Sequence, residues 1–319
     1  MTSTGSEWIA SFNGELIPFV DARLPVFDLG VMQGATVTER MRTVRHQPYL
    51  VPEHLERLQK SLQAIGVSLP ASGESLSLES LERTIHEVAA RNCRFLHSED
   101  DLAVVVFVTA GQSLGDANGL IEQSRPTLCV YSAPLPWKLW NTWFEHGVSL
   151  QIPGVRQIPT DSISPHIKHR SRLNWHLADQ EVKKIDAGAQ ALLLDSEGFV
   201  TETSSGNLFV VRNGTLFTPS ASTTLPGISQ AYVIELAQRN GVKSKRANLT
   251  PEDVANADEA FLTSSTYCLV PVSSINGIPM RSAAAGTVSG PMTARLTDLW
   301  SKELGLSFVE QVHSMRHLL

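Results

Sequence analysis

Apolar positions along the chain follow two rhythms, one of period two and one close to 3.6, which together predict a mixed α and β protein. Trp8-Ile9-Ala10 and Leu16-Ile17-Pro18-Phe19 flank Asn13-Gly14. That pair accepts positive φ at both centres of a tight turn, so a β-hairpin opens the fold. A strand is expected to begin near Val37, with Gln33-Gly34 in the loop before it. Leu55, Leu58, Leu62 and Ile65 mark one face of a helix, and Leu81, Ile85, Val88 and Ala89 mark a second. Leu102 to Thr109 is an unbroken apolar run that predicts a buried strand, with Thr127 to Tyr131 pairing beside it.

Prolines then break the pattern at Ala133-Pro134-Leu135-Pro136, because they cannot donate to a ladder and disfavour helix at the residue before them. Residues 133–141 are therefore expected to be an interdomain loop between a small N-terminal α/β domain (1–132) and a larger C-terminal domain (142–319). The second half predicts a strand at Val148 to Ile152 and a helix marked by Leu173, Leu177, Ala178, Val182 and Ile185. Strands follow at Ala191 to Leu194, Phe199 to Glu202 and Leu208 to Val211, the last turning at Asn213-Gly214. Ile228 opens a helix, Thr250-Pro251-Glu252-Asp253 reads as a capped helix start, and Ala260 to Leu262 is a strand ending in Thr263-Ser264-Ser265-Thr266. A last helix carries Leu296, Leu299, Trp300 and Leu304.

Composition narrows this picture. A chain of 319 residues is long enough for one large or two modest domains, and 42% hydrophobic with 18% charged residues is ordinary globular chemistry. A net charge of -6 with scattered Lys and Arg offers no field for a polyanion, which speaks against nucleic acid. Cys93, Cys129 and Cys268 are odd in number and far apart, fitting neither a disulfide framework nor a metal cluster, so a cytoplasmic setting and no metal are expected. No stretch approaches the length of an apolar membrane span, and no membrane partner is expected.

Chemistry concentrates between Ser164 and Gly227. Lys168 stands in Ile167-Lys168-His169-Arg170. An ordinary lysine is a cation near neutral pH, with a pKa of roughly 10.4. Neighbouring cations and apolar residues disfavour that charge and favour a Schiff-base nucleophile. Taken with Leu194-Asp195-Ser196-Glu197-Gly198-Phe199-Val200-Thr201-Glu202, Asn207-Leu208-Phe209 and Leu225-Pro226-Gly227-Ile228-Ser229, the chain resembles the class IV, or fold type IV, pyridoxal-phosphate aminotransferases. That family includes branched-chain and D-amino-acid aminotransferases, (R)-selective amine transaminases and 4-amino-4-deoxychorismate lyase.

The resemblance spans nearly the whole chain. It implies an α+β, two-domain fold with a β-barrel-like C-terminal domain, the cofactor pyridoxal 5'-phosphate, an amino donor and a keto-acid acceptor, and a homodimer. It implies that Lys168 carries the cofactor and that Glu202 pairs with the ring nitrogen. Arg57, Ile228, Ser229, Ser264 and Ser265 are implied as phosphate contacts, and the loop from Gly111 to Leu120 as the segment closing the pocket.

Four departures leave the substrate open. A tyrosine that contacts the cofactor in branched-chain enzymes is replaced by Leu173, and Arg172 is a candidate for its role. The string Lys168 to Leu173 looks like that of the aminodeoxychorismate lyases, so a lyase stands beside the aminotransferase, and a non-catalytic binding protein of the same fold stands behind both. Thr38 replaces a common aromatic residue, and Arg40 a small one. Arg40 is either a carboxylate clamp or a solvated strand arginine. Thr109, at the end of its strand, completes the candidate substrate residues, and the stretch from Thr109 to Asp116 has no arginine trap of the D-amino-acid type.

Overall fold

In the strand Thr36–Val44, Val37, Glu39, Met41 and Thr43 alternate with Thr38, Arg40 and Arg42, and this alternation decides what each face of the first sheet can do. The structure, a computed structural model, describes residues 8–69, 77–112 and 125–315. Residues up to Leu135, together with Ile167–Arg172, form one unit; Pro136–His166 and Leu173–Leu319 form a second.

The first unit contains β1 (Ile9–Phe12), β2 (Glu15–Pro18), β3 (Thr36–Val44), β4 (Gln47–Pro48), β5 (Leu102–Thr109) and β6 (Leu128–Pro134), with a short α1 (Leu29–Met32) and the longer α2 (Val51–Ala64) and α3 (Leu78–Cys93). Its sheet runs in the order β2-β1-β6-β5-β3-β4. The β1–β2 hairpin turns as its sequence predicts, with Asn13 at φ 53° and Gly14 at φ 91°. One face of the sheet is covered by α2 and α3, whose Leu55, Leu58, Leu62, Leu81, Ile85 and Val88 pack on Val37, Met41, Val104, Val106, Val108 and Val130. Arg42, on the other face of β3, is fully buried and pairs with Asp101 at 3.4 Å.

The second unit contains α4 (Trp137–His146), β7 (Val148–Gln151), α5 (Leu173–Val182), β8 (Gln190–Leu194), β9 (Val200–Thr203), β10 (Asn207–Arg212), β11 (Thr215–Pro219), α6 (Ile228–Arg239), β12 (Ser244–Ala247), α7 (Pro251–Ala255), β13 (Glu259–Ser264), β14 (Cys268–Ile275), β15 (Ile278–Pro279), α8 (Arg281–Ala284), α9 (Pro291–Leu304) and α10 (Phe308–Ser314). Its strands pair in the order β10-β13-β14-β7-β8-β9, and β9 pairs back onto β10 through Glu202 and Asn207. That last pairing closes the sheet into a barrel. The Thr250 start carries a full capping box with Asp253, as expected from the sequence.

Two expectations are corrected. Residues 133–141 are only in part a loop, because β6 continues to Pro134 and α4 begins at Trp137. Pro136 is the N-cap of α4, where no helical N–H is needed, so it precedes a helix instead of interrupting one. Trp137, Trp140 and Trp143 then recur at steps of three and are buried. In α5 the apolar residues are divided differently from the sequence reading. Trp175, Ala178 and Val182 face inward, whereas Leu173 and Leu177 are 69% and 50% exposed, as is Ile185 beyond the helix at 69%.

Of the loop expected to close the pocket, Gly111 and Gln112 are described and residues 113–120 lie outside the described residues. Among the described residues no helix is long and apolar enough to cross a membrane.

The inward face of α5 can be tested by urea unfolding. Val182→Ala should cost about 2 kcal/mol, from lost burial and a residual cavity. Leu177→Ala should stay within about 0.5 kcal/mol. A loss at Leu177 as large as that at Val182 would reverse the assigned face.

Candidate active site

Glu39 lies between Val37 and Met41 on the helix-covered face of β3, so its carboxylate is taken fully out of water and needs partners. Both come from α2, one helical turn apart. Arg57 donates Nε–H to Glu39 Oε1 at 2.8 Å and Nη2–H to Oε2 at 2.7 Å, a bidentate fork. His54 Nδ1 lies 2.6 Å from Glu39 Oε2. A carboxylate only accepts, so the proton of that bond is on Nδ1.

Burial pushes the Glu39 pKa up, but the charge and hydrogen bonds of Arg57 and the hydrogen bond of His54 outweigh it and bring the carboxyl from 4.5 to about 2. For His54, burial pushes the pKa down and outweighs the opposing pull of Glu39, and the charges of Arg57 and Lys168 add to the lowering.

The lysine reaches this unit through its backbone. The Thr38 N–H donates to the Lys168 carbonyl at 2.9 Å and the Arg170 N–H donates to the Thr36 carbonyl at 2.9 Å, an antiparallel bridge centred on Val37 and His169. The Lys168 N–H donates to Ser61 Oγ of α2 at 3.2 Å, and the Ser171 hydroxyl donates to the Gly34 carbonyl at 2.7 Å. Gly34 has a φ of 66°, and a Cβ there would collide with Ser171, so the close approach requires glycine.

Lys168 itself is half-buried. Burial, followed by the charges of Arg172 and Lys168, lowers the pKa of His169. Lys168, Arg57, Thr38, Arg40 and Arg172 thus belong to one unit, with Arg40 and Arg172 exposed. Protein packed around Arg40 lowers its pKa, with Tyr131 opposing and the charge of Arg170 adding to the lowering.

Two expected substrate residues are occupied otherwise. The Thr38 hydroxyl donates to the Val106 carbonyl at 2.8 Å, and the Thr109 hydroxyl donates to Asp28 at 2.9 Å. Asp28 is completely buried, caps α1 through the Gly30 N–H at 2.7 Å, and also accepts from the Thr127 hydroxyl at 3.3 Å. Thr109 therefore anchors the segment before β3.

The second unit holds the other candidates. Glu202, on β9, is buried, and its carboxylate accepts from the Leu225 N–H at 3.1 Å and from Asn207 Nδ2 at 3.0 Å. Asn207 also donates to the Leu225 carbonyl at 3.1 Å. A Cβ on Gly227 would overlap the Asn207 side-chain oxygen, so this turn too depends on glycine. Gly227 is the N-cap of α6 and supplies no side-chain cap, and the first helical bond is made by Ala231. The N–H groups of Ile228, Ser229 and Gln230 are left for an anion. Ser264 ends β13, and Ser265 follows it half-buried, its hydroxyl without a hydrogen bond among the described residues.

In the first unit a lysine is fixed by its backbone to the strand that carries the Glu39–Arg57 pair, and in the second an oriented buried carboxylate stands with an open helix N-terminus; an amine, a carboxylate and anion-binding groups are each types that a phosphorylated aldehyde cofactor uses. Residues 36–275 match the family described as Amino-transferase class IV, and the chain belongs to that family, an enzyme family of transaminases. It is 30% identical to the "Putative branched-chain-amino-acid aminotransferase" of Methanocaldococcus jannaschii over 91% of this chain and 96% of that protein. It is 28% identical to the D-alanine aminotransferase of Listeria monocytogenes over 92% of this chain and 94% of that protein. A T.th. branched-chain amino acid aminotransferase, solved with pyridoxamine 5'-phosphate, superposes with a TM-score of 0.78 at 25% identity, covering 93% of this chain and 94% of that one.

Sequence reading missed Glu39, His54 and Asp28. The signal for the first pair was present: an acid at an inward position of a strand, and His54 and Arg57 spaced by one helical turn. Asp28 gave no periodic signal, since the two threonine hydroxyls it accepts from are 81 and 99 residues away.

Glu39 and His54 make the fold acid-sensitive. A carboxyl at about 2 when folded and 4.5 otherwise stabilises fully above 4.5 and loses that stabilisation as pH falls toward 2. The lowered His54 pKa acts with the same sign, beginning below its ordinary value of 6.5. The Glu39 contribution is on the order of 3 kcal/mol. Glu39→Gln should lower stability at pH 7 by about 3–5 kcal/mol, because Arg57 loses a buried partner. It should also flatten the loss between pH 5 and 3 in urea unfolding. An unchanged acid slope would remove Glu39 from that role.

Proposed function

We propose that this chain moves an amino group from an amino acid or primary amine to a 2-keto acid with pyridoxal 5'-phosphate as its cofactor. The observation that carries the reading is the backbone pairing that fixes Lys168 on β3, one layer from the Glu39–Arg57 pair. The cofactor, when bound, supplies an electrophilic aldehyde and, through its protonated ring, an electron sink.

Lys168 Nζ would be the group that holds the cofactor through its aldehyde, and the base that moves the proton at the substrate Cα. Glu202, held by Leu225 and Asn207, keeps the proton on the ring nitrogen. Arg57, its guanidinium plane fixed by Glu39, and the α6 N-terminus with Ile228 and Ser229 bind the phosphate, joined by Ser264 and Ser265. Arg172 takes the place of the tyrosine that Leu173 replaces.

We further read the chain as a cytoplasmic homodimer. Three buried, free cysteines support the compartment, and exposed Phe19, Val20, Val26, Val31 and Met32 support a protein partner surface in the first unit.

Purified protein should show cofactor absorbance, and borohydride should fix the cofactor covalently to the peptide that contains Lys168. Lys168→Ala should fold, bind the cofactor reversibly and lose that covalent fixation. Undiminished fixation in Lys168→Ala would displace the lysine from its role. Amino transfer to 2-oxoglutarate or pyruvate supports the transaminase, whereas release of pyruvate from aminodeoxychorismate would favour the lyase instead.

A further inference from the structure

The bridge between Val37 and His169 fixes more than the lysine. Residues directly opposite across an antiparallel pair share a face, and successive residues alternate. His169 lies opposite Val37, and Ile167 packs against the helix-covered core that contains Val37 and Met41. Alternation therefore assigns Lys168 and Arg170 to the opposite face, with Thr36, Thr38 and Arg40.

The same register orders them along the strand. Lys168 is level with Thr38, Arg170 is level with Thr36, and Arg40 is two residues beyond Thr38. At about 3.4 Å per residue, a guanidinium-bearing residue starts roughly 7 Å to either side of the Lys168 level.

Arg40 and Arg170 are both exposed, and among the described residues neither guanidinium has a hydrogen bond or an acidic partner. By contrast, Arg42 on the same strand is buried and is paired with Asp101. The row across the sheet from Arg40 is Val105 and then Tyr131, which supplies a phenol and no carboxylate. After burial, the opposing influences of Tyr131 and Arg170 are what act on the Arg40 pKa, so the two arginines sense each other.

Two cations flanking one lysine, without counter-ions among the described residues, are matched by a ligand with a negative charge at each end. An aliphatic side chain would leave a guanidinium against hydrocarbon, and a neutral amine would leave both arginines unmatched.

We propose that Arg40 and Arg170 form a two-point clamp that selects a substrate carrying two carboxylates, as donor or as acceptor, over an aliphatic monocarboxylate or a neutral amine. This rests on the transaminase reading. The arginines are specificity residues: each forms a fork with one carboxylate, and together they hold the reacting carbon of a dicarboxylate at the level of Lys168.

The test uses the holoenzyme and two unreactive probes, glutarate and butyrate, in titration calorimetry. Glutarate should bind about tenfold or more tightly than butyrate, and Arg40→Ala and Arg170→Ala should each weaken glutarate by about tenfold while changing butyrate less. Arg40→Lys should recover part of the loss. In turnover, both alanine variants should raise KM for a dicarboxylic keto acid with little change in kcat. Cofactor absorbance in each variant shows that the fold and cofactor site persist.

Equal affinity for the two probes, or equal losses on both in the variants, would overturn the clamp and leave the transaminase reading standing. A wild-type protein that takes up no pyridoxal phosphate would overturn the transaminase reading. The glutarate and butyrate titrations of that protein would still judge the clamp.

Discussion

Two backbone hydrogen bonds, from Thr38 to Lys168 and from Arg170 to Thr36, organise the first unit around its lysine. Their neighbours in sequence, up to His166 and from Leu173, belong to the second unit, so Ile167–Arg172 is a short insertion of late sequence into an early sheet. A flexible side chain gains a defined position when its own backbone is part of a ladder. Ser61 from α2 and Gly34 from the loop before β3 tighten the same segment.

A comparable economy appears in the second unit. The Glu202–Asn207 pairing closes the barrel, and the same two residues fix a buried carboxylate and the turn that leads into α6. Structure and chemistry therefore share their constraints: a change at Asn207 would act on barrel closure, on the orientation of Glu202 and on the start of α6. The charged layer between β3 and α2 works in the same way, since Glu39 holds Arg57 flat and keeps a buried strand position compatible with a guanidinium.

Much of this was legible in the sequence. The Asn13-Gly14 hairpin, the faces of α2 and α3, and the β5 run follow from turn chemistry and periodicity, and Thr250 announced its capping box. The resemblance carried by Lys168, Glu202, Asn207 and Leu225 to Ser229 led to the family. What escaped was non-local. Nothing in the spacing of Leu173 and Leu177 says that Trp175 is the residue that packs inward, because both sets are apolar. Pro136 reads as a helix breaker until it is known to stand at the N-cap, and Thr109 reads as a pocket residue until Asp28 is seen beneath it. Arg40 gained its companion only when the register placed Arg170 on the same face.

Every role assigned to Lys168 depends on that register. Amide hydrogen exchange resolved to single residues reads it directly, because the Thr38 and Arg170 amides are the two donors that cross the bridge. Protection of both amides at the level of the β3–β5 ladder, lost together when the first unit unfolds, is the predicted result. Exchange of the Arg170 amide at the rate of an unprotected loop would contradict it, and would mean that Lys168 is not held on β3.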